Sequence, residues 1–170
     1  MSIQVVREIS SPHVQAIIDY WHQIRGERPA PDAAEVDPVG IPTESLHHVI
    51  LADLELNPFR VRYRLVGGHQ TDLFGDYRGR YLDQLGLPDG VDQVLADDYR
   101  QAAATLVPVV GSYPWPKKYG RPATVNYALM PLLRDGVVVR FPAAEHIVAD
   151  DLQERLERDD LVHLLPPKQR

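Results

Sequence analysis

Phe59-Arg60-Val61-Arg62-Tyr63-Arg64-Leu65 alternates apolar and basic side chains without a break. Successive side chains of a β-strand point to opposite faces. This period of two therefore sets Phe59, Val61, Tyr63 and Leu65 on one face and Arg60, Arg62 and Arg64 on the other. One apolar and one charged face belong to an antiparallel sheet covered on one side; a strand of a buried parallel sheet would be apolar on both. Gly67-Gly68 breaks the run, Asn57-Pro58 precedes it as a turn, and residues 49–54 supply an apolar partner strand upstream.

Towards the N-terminus, Ser11-Pro12 opens a helix as N-cap and first helical residue, and Val14, Ile17, Ile18, Trp21 and Ile24 follow at helical spacing. Gly26 suits the left-handed cap that closes it. Residues 27–42 hold Pro29, Pro31, Pro38 and Pro42, too dense for helix or sheet, and read as an extended connector before a helical turn at 43–47. Beyond Gly68 a short helix is predicted over 69–74, a turn over 76–79, a turn or half helix over 81–85, and the longest helix over about 91–107, stopped by Pro108. Two strands, 109–115 and 123–133, precede Arg134-Asp135-Gly136, a hairpin signal, and a return strand over 137–141. Residues 150–158 read as a charged helix, and the tail from Pro166 as frayed.

Strands joined by short turns run antiparallel, and the helices between the second and third strands must pack together on one face. The expected fold is α+β: a five-stranded antiparallel sheet with helices on one face and an N-terminal amphipathic helix. The chain divides into an N-terminal helix and connector (1–42), a core (43–144) and a C-terminal extension (145–170).

Composition narrows the function. A formal net charge of −6 opposes a phosphate-tracking surface; Lys117, Lys118 and Arg121 are the one basic cluster, and among Tyr119, Gly120 and Pro122 they read as a hairpin tip. With no cysteine, disulfides, zinc–thiolate sites and cysteine nucleophiles are excluded. No stretch reaches the roughly 20 apolar residues that span a bilayer, and the N-terminus lacks the pattern of a secretory signal. No nucleic acid, no membrane and a cytoplasmic setting are the expectations.

The order of elements, with these residues, resembles the PAS-like domain family of stand-alone proteins found mainly in alphaproteobacteria. Tyr20-Trp21 with Arg25-Gly26 resembles its first helix, and Arg28-Pro29-Ala30-Pro31 with Val36-Asp37-Pro38 its connector. The run from Phe59 to Gly67 resembles its second strand, Gly75-Asp76-Tyr77-Arg78-Gly79 its following turn, and Met130-Pro131-Leu132 with Asp135-Gly136 its last hairpin. The match covers about residues 18–140. The chain departs from the family pattern at Gly68, where threonine is usual, and at Ser45-Leu46-His47-His48, which lacks the family's proline. The resemblance implies a PAS-like sheet and helices around a cavity. It also implies a sensory or interaction role, often as a homodimer or with a protein partner, and no enzymatic activity.

Candidate site residues divide by face. Tyr63, Leu65, Phe74, Tyr81, Tyr99, Trp115 and Tyr127 belong to elements that face the space between sheet and helices. With His69 they are the candidate lining of a ligand cavity, although core packing is the favoured reading of the aromatic set. No cofactor follows from a motif: a small organic ligand suits such a cavity, and a haem held by His69 has no supporting motif. His69 and Asp72 share a helical face and could form an acid–base pair of a small enzyme, with a polar helix surface as the bland reading. His47 and His48 are adjacent and, on a strand, point apart, so no metal ligand is assigned. The stripe of Ile17, Ile18 and Trp21 could pack on its own sheet or against a second copy. Arg60, Arg62 and Arg64 are candidates for an interface with an acidic partner, unless Asp53, Glu55 or Asp19 neutralise them within the fold.

Overall fold

The computed structural model describes residues 5–87, 90–118 and 121–149. Helix α1 (Pro12–Arg25) starts where Ser11 turns the chain: the Ser11 Oγ accepts a hydrogen bond from the Val14 amide, and Pro12 occupies the first turn, where its missing N–H costs nothing. Gly26, at φ 58°, closes the helix by donating its N–H to His22. The connector contains two single 3-10 turns, Ala33–Glu35 and Pro38–Gly40, capped by Asp32 and Asp37, and a third turn, Thr43–His48, leads into the sheet.

Among the described residues the sheet has six strands. β1 (Val49–Glu55) and β2 (Arg60–Val66) form a hairpin; α2 (Gly68–Phe74), a 3-10 turn at Leu82–Gln84 and α3 (Val91–Thr105) follow. β3 (Val109–Lys118), β4 (Arg121–Leu129), β5 (Leu132–Arg134) and β6 (Val137–Ala149) complete it. All pairings are antiparallel and the order is β2-β1-β6-β4-β3, with β5 beside β6. Helix α3 stops two residues short of its expected end, because Leu106 turns left-handed at φ 58° ahead of Pro108. The single strand expected over 123–133 is two strands: Pro131 has no N–H for the ladder, and the chain resumes as β5 on the near half of β6. β6 continues to Ala149, well past the expected end at Phe141, because β1 pairs with it as far as Ala144 and β4 carries the ladder on from Ala143 to Ala149. The charged helix expected over 150–158 lies outside the described residues.

Two apolar clusters occupy the two faces. The inner one gathers Val61, Tyr63, Leu95, Tyr99, Val125, Tyr127 and Phe141 under α3. The outer one holds α1 against the sheet: Val14, Ile17, Ile18 and Trp21 meet Ala128, Met130, Leu132 and Ala144, and the Trp21 indole N–H donates to the Pro131 carbonyl at 2.9 Å. Ile17 and Trp21 are at most 1% exposed, so the α1 stripe packs within its own chain. Among the described residues no helix is long and apolar enough to cross a membrane.

The alternation that opens the sequence holds as far as Tyr63. Val61 and Tyr63 are buried and Arg62 and Arg64 exposed. The register then slips: Ala52 faces Tyr63 but Leu51 faces Leu65, so Arg64 is an extra residue in a β-bulge. A bulge reverses the parity of everything beyond it, which turns Leu65 out to 43% exposure and Val66 in toward the core. Leu65 is therefore not a core or cavity residue.

Candidate functional site

The inner face of the sheet and the segments that cross it enclose a cavity of about 420 Å³. β2 contributes Tyr63, β3 contributes Tyr113 and Trp115, β4 contributes Val125, and β6 contributes Glu145 and Ile147. Across from them stand Leu95 of α3, Leu85–Leu87 and, from the turn before them, Tyr77 and Arg80. Tyr63 and Tyr77 meet edge to face at 5.1 Å. The walls are apolar with a few polar groups aimed inward, the composition of a small-molecule pocket. Burial pushes the Glu145 carboxyl up to about 7, within reach of both its charged and neutral forms near neutral pH. Burial likewise raises the phenols of Tyr63, Tyr77, Tyr99 and Tyr113, which stay protonated.

A second constellation lies at the edge of β6. β1 stops pairing with β6 at Val49 opposite Ala144, and the next edge groups of β6 need other partners. The Glu145 carbonyl accepts from Gln70 Nε2 and from His48 Nδ1, the latter at 3.2 Å, and the Ile147 amide donates to His69 Nε2 at 3.2 Å. Side chains from the turn before β1 and from α2 thus replace the missing strand. They bring His48 and His69 to His146 on the outer face of β6, with ring centroids 4.4–5.3 Å apart; His13 of α1 stacks on His48 at 4.4 Å. Burial, and then the neighbouring rings, pulls His48, His69 and His146 down to about 4, so these imidazoles are neutral at neutral pH.

Gly67 makes this corner possible. A Cβ there would stand 2.3 Å from the His47 carbonyl oxygen and 2.9 Å from that of Val49. Gly67 thus answers to a close backbone approach between the end of β2 and the start of β1, whereas a Cβ at Gly68 would meet only the His47 side chain, at 3.2 Å.

Of the residues singled out in the sequence, Tyr63 and Trp115 line the cavity. Tyr99 is buried against Phe141 at 4.9 Å in the core beside it. Tyr127 is buried, but its hydroxyl donates to Asp98 at 2.5 Å, within a group that the Arg7 guanidinium completes by gripping both Asp98 oxygens. Tyr81 lies outside on the edge of β2, with Arg60 over its ring at 3.5 Å and its hydroxyl on Glu55. His69 joins the histidine group while Asp72 is exposed, and the side chain of Phe74 lies outside what is described. Asp53 and Glu55 do face Arg62 and Arg60 across the ladder. The ion pairs run elsewhere: Arg60 to Asp83 at 2.7 Å, and Arg64 and Arg140 to Asp53 at 3.6 and 2.6 Å; Asp19 accepts from Gln15 on its own helix.

Sequence reasoning missed Tyr77, Tyr113, Glu145 and Ile147 in the cavity, and the convergence of His48, His69 and His146. The one available signal was alternation past Phe141, in which Ala143, Glu145 and Ile147 share the inner face. The family model described as PAS domain matches residues 9–141, from the approach to α1 into β6. No curated protein matches the chain.

Proposed function

This chain belongs to the PAS domain family, and we propose that it is a non-catalytic sensory module that binds a small organic molecule between the inner face of the sheet and α3. The observation that carries this reading is the cavity of about 420 Å³, a size that suits a small-molecule site, with tyrosines, Glu145 and Arg80 among mostly apolar lining residues. The ligand it suits is compact and largely apolar, with one or two hydrogen-bonding groups for Glu145 and the tyrosines. Its binding state passes to a second copy of the chain or to a protein partner. The outer face of β1 and β2, where Arg62 and Arg64 are exposed, is the surface we assign to that contact, since the α1 stripe is consumed inside the chain. An enzyme built on His69, Asp72 and the cavity tyrosines needs those groups to converge, and His69 is not among the residues that line the cavity.

The test is native mass spectrometry of tag-free protein isolated from its own host. A small-molecule mass above that of the chain is expected, and it should vanish in Val125→Phe, which puts a ring into the cavity. The bare chain mass in the native protein, or the same added mass in the variant, would sink the reading.

A further inference from the structure

We propose that His48, His69 and His146 form a binding site for a divalent first-row transition-metal ion of the Zn²⁺ class. Each of the three rings can offer one nitrogen, and those nitrogens lie within 4.8 Å of one another. Zinc–imidazole bonds of about 2.0–2.1 Å at tetrahedral angles place ligand nitrogens about 3.4 Å apart, so small ring rotations suffice to close the site. The ligands stand on three elements held by backbone pairing: the turn ahead of β1, the first turn of α2 and the body of β6.

The surroundings orient the rings as metal ligands are oriented. The Glu145 carbonyl can only accept, so His48 carries its proton on Nδ1 and keeps a lone pair on Nε2. His146 Nδ1 lies 2.7 Å from Ser11 Oγ, leaving Nε2 as its outward nitrogen. Two buried polar atoms beside the group have no hydrogen-bond partner among the described residues: Oε1 of Gln70, next to His69 in the chain, and Nδ2 of Asn126, opposite His146 in the β4–β6 ladder. A hydrated ion would offer such groups a water. One bond opposes the site: His69 Nε2 accepts the Ile147 amide, and His69 must give up that contact or turn its ring to ligate.

The donor set selects the cation. Three imidazoles with no carboxylate among them suit Zn²⁺, Cu²⁺, Ni²⁺ or Fe²⁺ and not Mg²⁺ or Ca²⁺, which want oxygen. Three protein ligands leave a fourth position for water or a further ligand. His146 and Glu145 are neighbours on β6 that face opposite ways, so an ion on the outer side and the cavity on the inner side share one strand.

The experiment uses the tag-free chain after treatment with a chelator, titrated with Zn²⁺ alone by calorimetry and with Co²⁺ alone by visible absorption. One ion per chain is expected, with Co²⁺ bands of a nitrogen-ligated, near-tetrahedral site. His146→Ala and His69→Gln should each weaken Zn²⁺ binding at least tenfold, and His22→Ala should leave it unchanged. If either site variant fails to fold by circular dichroism, histidine-selective NMR of the wild type decides. Zn²⁺ then shifts the ring signals of His48, His69 and His146 and leaves that of His22 in place. No saturable one-to-one uptake by the wild type, site variants that fold and bind as it does, or NMR shifts confined to other histidines would overturn the proposal.

Discussion

Gly67 shows how little room single residues have in the corner that joins β2 to α2. The atoms a Cβ would strike are backbone atoms of His47 and Val49, which cannot swing aside as a side chain could. Gly67→Ala should therefore destabilise the chain by about 2–3 kcal/mol or more, measured by urea unfolding. A change under 0.5 kcal/mol, on the order of an ordinary surface substitution, would mean the corner can open. The tyrosines make a second prediction. Burial holds the phenols of Tyr63, Tyr77, Tyr99 and Tyr113 above their ordinary value of 10, so the folded chain keeps protons that the unfolded chain releases above that pH. Stability is unaffected by these groups below pH 10 and falls as pH rises beyond it, by up to about 1.4 kcal/mol per pH unit for each phenol. Phenolate absorbance and circular dichroism should thus change together in one steep transition above pH 10. Phenolate that forms gradually in a chain keeping its fold would show these hydroxyls to be in contact with water.

Helix α1 is an element that the sheet consumes whole. Its stripe lies on β4 to β6, and Trp21 adds a hydrogen bond to the Pro131 carbonyl just where β4 gives way to β5. Trp21→Ala should cost about 3–5 kcal/mol and leave the oligomeric state of the folded fraction as in the wild type, by native mass. A loss of association with little loss of stability would instead make α1 an interface. The β1–β2 hairpin behaves in the opposite way. Arg62 and Arg64 stand in solvent, and the 3.6 Å contact from Arg64 to Asp53 is an exposed pair in a high-dielectric setting. Arg62→Glu with Arg64→Glu should therefore change unfolding stability by less than about 1 kcal/mol. A larger loss in denaturant melts would return the arginine ladder to a structural role and remove it as a partner surface.

At the scale of the whole molecule, β6 organises everything: it is the centre of the sheet, the floor of the cavity through Glu145 and Ile147, and the carrier of His146 on the opposite face. A ligand that binds only the folded state adds stability by mass action, about 2.7 kcal/mol at a hundredfold excess over Kd. For a chain of this size that is a Tm higher by roughly 5–10 °C. Protein from its host should therefore melt higher than the same chain unfolded, freed of small molecules and refolded; identical melting curves would argue against a bound ligand. Much of the frame was determined by the sequence alone, because its signals are short-range. The Ser11-Pro12 start and Gly26 stop of α1, the alternation from Phe59 to Tyr63 and the Asp135-Gly136 hairpin each depend on steric and hydrogen-bonding preferences a few residues wide. The family resemblance joined those pieces in the right order. The tertiary structure alone decided the rest. Leu65 faces out because a bulge set against β1 reverses its parity. Pro142, Ala143, Ala144 and Glu145 are poor strand residues by propensity, and they become strand because β1 pairs with β6 as far as Ala144 and β4 pairs with it from Ala143 to Ala149. Only once that strand extends do Glu145 and Ile147 reach the cavity and His146 meet His48 and His69. Residues so far apart in the chain share no local pattern, and only the packing of the sheet brings them together.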